Sequence, residues 1–160
     1  MDDDAYPTRR QPHRLPRDQY QRPWRAVSFT LCASPSRSLL SPRGAPAIIK
    51  DHLRETARDN NCATIAYCIM PKHLHFLACV VAEGGDLLEF VDQFKQRSGF
   101  RLAQLGGRGA VWQRDFWDRH VRSDEHLDEV VAYIMNNPVR AGYCAEAEQW
   151  AHSEFCGYPW

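Results

Sequence analysis

Apolar residues along the chain fall into short patterned stretches separated by turn-forming residues. Trp24 to Cys32 (WRAVSFTLC) alternates β-branched and aromatic residues with small or polar ones, the period of a half-buried strand. Ser34 to Pro46, punctuated by Pro35, Pro42, Gly44 and Pro46, reads as loop. From Ala47 to about Asn60 the spacing becomes helical, with Ile48, Ile49, Leu53 and Ala57 on one face and Asn60-Asn61 as a stop. Thr64 to Met70 and His73 to Val81 are short apolar runs joined by Pro71-Lys72, which predicts two strands meeting at a tight turn.

Asp86 is placed to cap a second helix whose buried face is Leu87, Leu88, Val91, Phe94 and Leu102. Gly106, Gly107 and Gly109 break the pattern, and Val111 to Trp117 predicts a fourth strand. Ser123 or Asp124 then caps a third helix, which runs to about Asn137 and is stopped by Pro138. The aromatic-rich tail from Gly142 to Trp160 is expected to fold back on the domain. Strand, helix, strand, strand, helix, strand is the order of the ferredoxin-like split βαβ unit. The fold class expected is therefore α+β: an antiparallel βαββαβ sheet with helices on one face and an additional C-terminal helix.

Residues 1–23 break with this pattern. Pro7, Pro12, Pro16 and Pro23 stand among charges with no apolar period, which predicts a flexible arm ahead of a single domain spanning 24–160. The net charge is zero, which alone argues mildly against a nucleic-acid partner. Its distribution changes the picture, because Arg9, Arg10, Arg14, Arg17, Arg22 and Arg25 are opposed in their stretch only by Asp18. Such a segment is either a solvated tail or a tail that docks on phosphates, and the two are compatible. The six cysteines are scattered without a C-x-x-C pair, so they read as small buried hydrophobes rather than as a zinc site or a disulfide framework. No apolar run has the length of a membrane span, and the acidic start Met1-Asp2-Asp3-Asp4 is unlike a secretory leader, so a cytoplasmic location is expected.

Two constellations could carry chemistry. In His73-Leu74-His75, residues two apart on a strand share a face, with Cα atoms about 6.6 Å apart, so both imidazoles can converge on one metal ion while Leu74 enters the core. With 7 His in 160 residues an H-x-H arises easily by chance, and two plain surface histidines are the competing reading. In Tyr133-Ile134-Met135-Asn136-Asn137, residues i and i+4 of a helix put Tyr133 and Asn137 on one face. A surface Tyr followed by a C-terminal Asn cap explains the same pattern.

Together these segments resemble something more specific. Tyr67-Cys68-Ile69-Met70-Pro71-Lys72-His73-Leu74-His75-Phe76-Leu77 resembles the "HUH" strand of single-strand transposases, in which two histidines flank a bulky apolar residue. Trp112 to Arg122 (WQRDFWDRHVR), followed by Tyr133-Ile134 and Asn136-Asn137-Pro138-Val139-Arg140-Ala141-Gly142, closely resembles the C-terminal signature of REP-associated tyrosine transposases. Phe94-Lys95 matches that family's "FK" segment. The likeness runs from about Trp24 to Gly142. One departure is Lys72, where the family commonly has Asn, beside the histidines rather than among them.

The resemblance implies a nucleophile at Tyr133 and metal ligands at His73, His75 and Asn137, with magnesium or manganese as the ion. It makes 24–160 one HUH transposase domain, acting on single-stranded DNA or on palindromes that fold into hairpins. The implied chemistry is cleavage and rejoining through a 5′-phosphotyrosine, with the protein working at the bacterial nucleoid. Contacts to phosphates are expected from Arg9, Arg10 and Arg14 in the arm, Lys95, Arg97 and Arg101 on the second helix, and Arg119, Arg122 and Arg140 in the signature; each could equally be a solvated charge. Trp112, Phe116 and Trp117 could stack unpaired bases or fill the core, and His120 is either a further site residue or an ordinary histidine. A DNA-binding protein of the same fold that no longer cuts, and an unrelated two-histidine metalloenzyme with no use for Tyr133, are the alternatives. Monomer and dimer remain equally open.

Overall fold

A computed structural model describes residues 15–121 and 126–160. Strands β1 (Ala26–Ala33), β2 (Cys62–Ile69), β3 (His73–Val80), β4 (Trp112–His120) and β5 (Ser153–Phe155) form one sheet in the order β4-β1-β3-β2-β5. Every pairing is antiparallel. The helices are α1 (Ala45–Asp59), α2 (Leu87–Gln104), α3 (Leu127–Met135) and the one-turn α4 (Asn137–Arg140). Apart from β5 this is the split βαβ arrangement that the hydrophobic pattern predicts.

The centre of the sheet explains the rest. All of β3 is buried, so it is covered on both faces. Leu74, Phe76, Ala78 and Val80 point to one side, where Phe29 and Leu31 of β1 join them against Ile49 and Leu53 of α1 and Phe90, Val91 and Phe94 of α2. His73, His75, Leu77 and Cys79 point the other way. There Leu127, Val130 and Ile134 of α3 pack on Leu77, Cys79, Cys68 and Ile65. The helices therefore lie on both faces rather than one, because α3 brings its own apolar stripe to the second face. Asp86 caps α2 as expected, its carboxylate accepting from the N–H groups of Leu88 at 2.9 Å and Glu89 at 3.2 Å.

Three features depart from the sequence pattern. Within the expected arm, Arg17–Tyr20 forms a turn of 3-10 helix against the domain. Tyr20 is fully buried and its hydroxyl donates to Asp118, while Gln21 donates to Asp86 at 2.8 Å. One large aromatic with a polar partner is enough to anchor a segment whose composition reads as tail. Secondly, the third helix does not run through to Asn137. It ends at Met135, and Pro138 lies within the first turn of α4, where a missing N–H costs nothing. The expected cap at Ser123 or Asp124 lies outside the described residues. Thirdly, the tail supplies the edge strand β5, and the Trp150 indole N–H donates to the Ile69 carbonyl at 3.1 Å. No helix among the described residues is long and apolar enough to cross a membrane.

Glu154 fastens β5. It accepts from the Tyr67 hydroxyl at 3.0 Å and pairs with Lys50 at 2.8 Å and Arg54 at 3.3 Å. The Lys50 ammonium, and behind it the Tyr67 hydroxyl, hold the carboxyl below its usual range. Glu154→Ala should lower stability by about 1 kcal/mol at neutral pH, read as a lower urea midpoint. A depressed carboxylate contributes fully above its ordinary value of about 4.3 and loses that contribution as the pH falls through its folded value. The two proteins' midpoints should therefore draw together as the pH is lowered below the ordinary carboxylate range.

Candidate active site

The alternation of β3 delivers His73 and His75 to the α3 face, with Leu74 between them in the opposite core. Their rings meet edge to face, centroids 4.5 Å apart. Thr30 lies directly across from His75 on β1, and its Oγ1 is 2.8 Å from His75 Nδ1. A hydroxyl on one ring nitrogen fixes the orientation of an imidazole, the kind of support that ligating histidines use. Thr30 was not singled out from sequence, since a Thr in mid-strand is ordinary and its register with a residue 45 positions away is not written locally.

Burial, then the neighbouring His73 and Arg140, push the His75 ring down to about 3. It is neutral at physiological pH, the form that binds a metal. The same shift should make the protein acid-sensitive. Between about 6.5 and 3 the unfolded His75 takes up a proton that the folded ring refuses, so the unfolded state binds more protons and stability falls as pH falls. One group contributes at most about 1.4 kcal/mol per pH unit. His75→Gln should flatten the decline in urea midpoint between pH 6.5 and 4; equal slopes in both proteins would contradict this.

Tyr133 lies in the last full turn of α3 and is 59% exposed. Asn137, expected on the same helical face, sits beyond the α3–α4 break and is only 6% exposed, so the two side chains do not share an open surface. Arg140 closes the junction: its guanidinium lies over the Tyr133 ring, 3.8 Å from the centroid, and donates to the Tyr133 carbonyl at 3.0 Å.

An open cleft of about 820 Å³ lies between α3 and strands β1 and β4. Its floor carries Thr30 and His75, and Glu129 and Tyr133 of α3 form one wall. Trp117, Arg119 and His120 of β4 form the other. The sheet register aligns Trp117, Thr30, His75 and Cys68 in one row across this face. Tyr133, His75, Arg119 and His120 are thus brought together, with His73 beside His75. Asn137 is not among the residues lining the cleft. Among the described residues no three His, Cys, Asp or Glu side chains form a metal-binding group. Among the described residues a third protein ligand to the histidine pair would be of another type, and the amide of Asn137 is one.

The other predicted contacts are placed elsewhere. Lys95, Arg97 and Arg101 are on α2, across the sheet from the cleft, where Lys95 donates to the Arg114 carbonyl at 2.7 Å and Arg97 pairs with Asp59 at 2.6 Å. Arg9, Arg10, Arg14 and Arg122 lie outside the described residues. Trp112 is core, its indole N–H donating to Ser98 at 3.0 Å, and Phe116 packs edge-on to Phe29. Only Trp117 of the three aromatics reaches the cleft. Lys72 ties down the loop after β1, donating to the carbonyls of Pro35 at 2.9 Å and Arg37 at 2.6 Å.

Comparison with known proteins bears on this arrangement. Residues 27–137 match the family described as "Transposase IS200 like". A Haemophilus influenzae protein provisionally named a REP-associated tyrosine transposase is 28% identical over 112 residues, covering 64% of each chain. The REP-associated tyrosine transposase of Escherichia coli K12 is 24% identical over 108 residues, covering 68% of this chain and 63% of its own. The chain thus spans slightly less than two thirds of the length of these relatives. A REP-associated tyrosine transposase solved bound to a REP hairpin shares the fold, with a TM-score of 0.71 and 22% identity, over 85% of this chain and 79% of that one.

Proposed function

Because the chain belongs to the IS200-like transposase family, we propose that it cuts and rejoins single-stranded or hairpin DNA through a covalent bond to Tyr133. The observation that carries this reading is the cleft in which an exposed tyrosine on α3 faces a neutral, hydroxyl-supported histidine of an H-x-H strand. The named relatives, one of them solved with a REP hairpin, support a hairpin of that kind as substrate.

A phosphodiester resists attack because its oxygens are anionic and its leaving alkoxide is poor. His73 and His75, with Asn137, would hold a magnesium or manganese ion, which supplies charge neutralisation and orientation of the phosphate. The donor set fits in its two adjacent imidazoles, of which His75 is held neutral. Tyr133 provides the nucleophile: its Oη forms the bond to phosphorus, the bond to the 3′ oxygen breaks, the phenol loses its proton and the departing oxygen gains one. The product is a 5′-phosphotyrosine and a free 3′-hydroxyl, and attack by another 3′-hydroxyl reverses the step and joins strands. Arg119, exposed on the cleft wall, would hold a flanking phosphate, and Trp117 would stack an unpaired base.

The test is incubation of the purified protein with labelled single strands and REP-type hairpins, with manganese or magnesium, followed by a denaturing gel. A protein–DNA adduct that requires metal is the expected result. Hairpin binding with no adduct would instead make this a non-cutting DNA binder of the same fold.

A further inference from the structure

We propose that Arg140 is the positioning residue for the nucleophile, holding the Tyr133 ring at the mouth of the cleft; this rests on the reading of Tyr133 given above. Residue 140 ends the one-turn helix α4, beyond the break at Asn136, and from there the guanidinium reaches back over the ring. It makes two contacts at once: a stack 3.8 Å from the ring centroid and a hydrogen bond of 3.0 Å to the carbonyl of the same residue. Those contacts use both special properties of arginine, a flat face and a rigid fork of N–H donors. Together they fix the plane of the ring relative to its own backbone.

An exposed tyrosine otherwise samples several rotamers, only some of which bring Oη to a phosphate held near His75. Misplacement of a reacting atom by about 1 Å can cost on the order of 100-fold in rate. Arginine at this position therefore does something a phosphate-binding cation would not, because its partner is the nucleophile.

The experiment compares wild type, Arg140→Ala and Arg140→Lys for hairpin affinity and for the single-turnover rate of adduct formation at saturating hairpin DNA with manganese. Arg140→Ala should react roughly 10- to 100-fold more slowly, with Kd changed less than about two-fold. Arg140→Lys should recover little, since an ammonium cannot stack and fork together. An unchanged rate in Arg140→Ala overturns the proposal, as does wild-type behaviour in Arg140→Lys. So does a raised Kd with a salt dependence shallower by about one ion and a normal rate at saturation, which would make Arg140 a phosphate contact. The stack is also checked without activity: the Arg140 side-chain protons should show an upfield ring-current shift in NMR spectra that disappears in Tyr133→Leu. Unshifted protons overturn the proposal even where wild type is active. A wild type that forms no adduct overturns the nucleophile reading itself, and this proposal with it.

Discussion

Tyr133→Phe should abolish the covalent protein–DNA product, by at least about 1,000-fold, while hairpin affinity and melting temperature stay close to wild type. The change removes one oxygen from a side chain that is 59% exposed, so no cavity opens and no core contact is lost. The ring that remains still stacks under Arg140. Only the atom that would bond to phosphorus has gone, so binding and chemistry separate cleanly. A labelled hairpin run on native and denaturing gels reads both at once: the native shift should persist and the denaturing band should vanish. Residual adduct at more than a few per cent would point to a different nucleophile, and a lost native shift would mean that the hydroxyl had been a binding group.

The second large effect is on the fold. Phe76→Ala should cost about 3–5 kcal/mol, enough to leave the domain marginally stable, measured as a fall in urea midpoint. Phe76 is fully buried at the middle of the central strand. It stacks on Phe29 at 5.1 Å and meets Phe90 and Phe94 at 5.7 and 6.3 Å, so truncation removes the hub of the aromatic cluster that ties the sheet to α2. Collapse around the hole is restricted by the strands on either side, which places the cost in the upper part of the range for aromatic truncations. A midpoint shift worth less than 1 kcal/mol would mean that the core repacks freely.

Phe76 and His75 are neighbours in sequence and belong to opposite faces, and this is why so much was legible. A period of two sorts residues without any knowledge of what covers each face, so the histidines separate from the core by pattern alone. The pattern does not say what stands on the second face. A third helix was legible from its spacing, but the sheet surface that its Leu127, Val130 and Ile134 seal was not. The basic residues of α2 were grouped with the site for the same reason: helical spacing shows that they share a surface, not which side of the sheet that surface is on. Thr30 and Arg140 acquire their roles from register and from the break at Asn136, both products of tertiary packing. Tyr133 is a special case, since nothing local marks it; the wording of the surrounding segment did so through its resemblance to a family. Arg17–Tyr20 and β5 escaped because one is masked by prolines and charges and the other is three residues long.

The sheet order also dictates when the cleft can come into being. Among the described strands, β2 and β3 are the only sheet neighbours adjacent in the chain, whereas the β1–β4 pairing joins Val27 to His120 and so must close a long loop. The cleft draws on β1, β3, β4 and α3 together. A nascent chain on the ribosome thus carries its histidine pair on an early hairpin, but lacks the walls until β4 has zipped onto β1, and lacks the proposed nucleophile until Tyr133 has emerged. Translation products that stop before Tyr133 would therefore lack both a wall of the cleft and the side chain proposed to attack DNA.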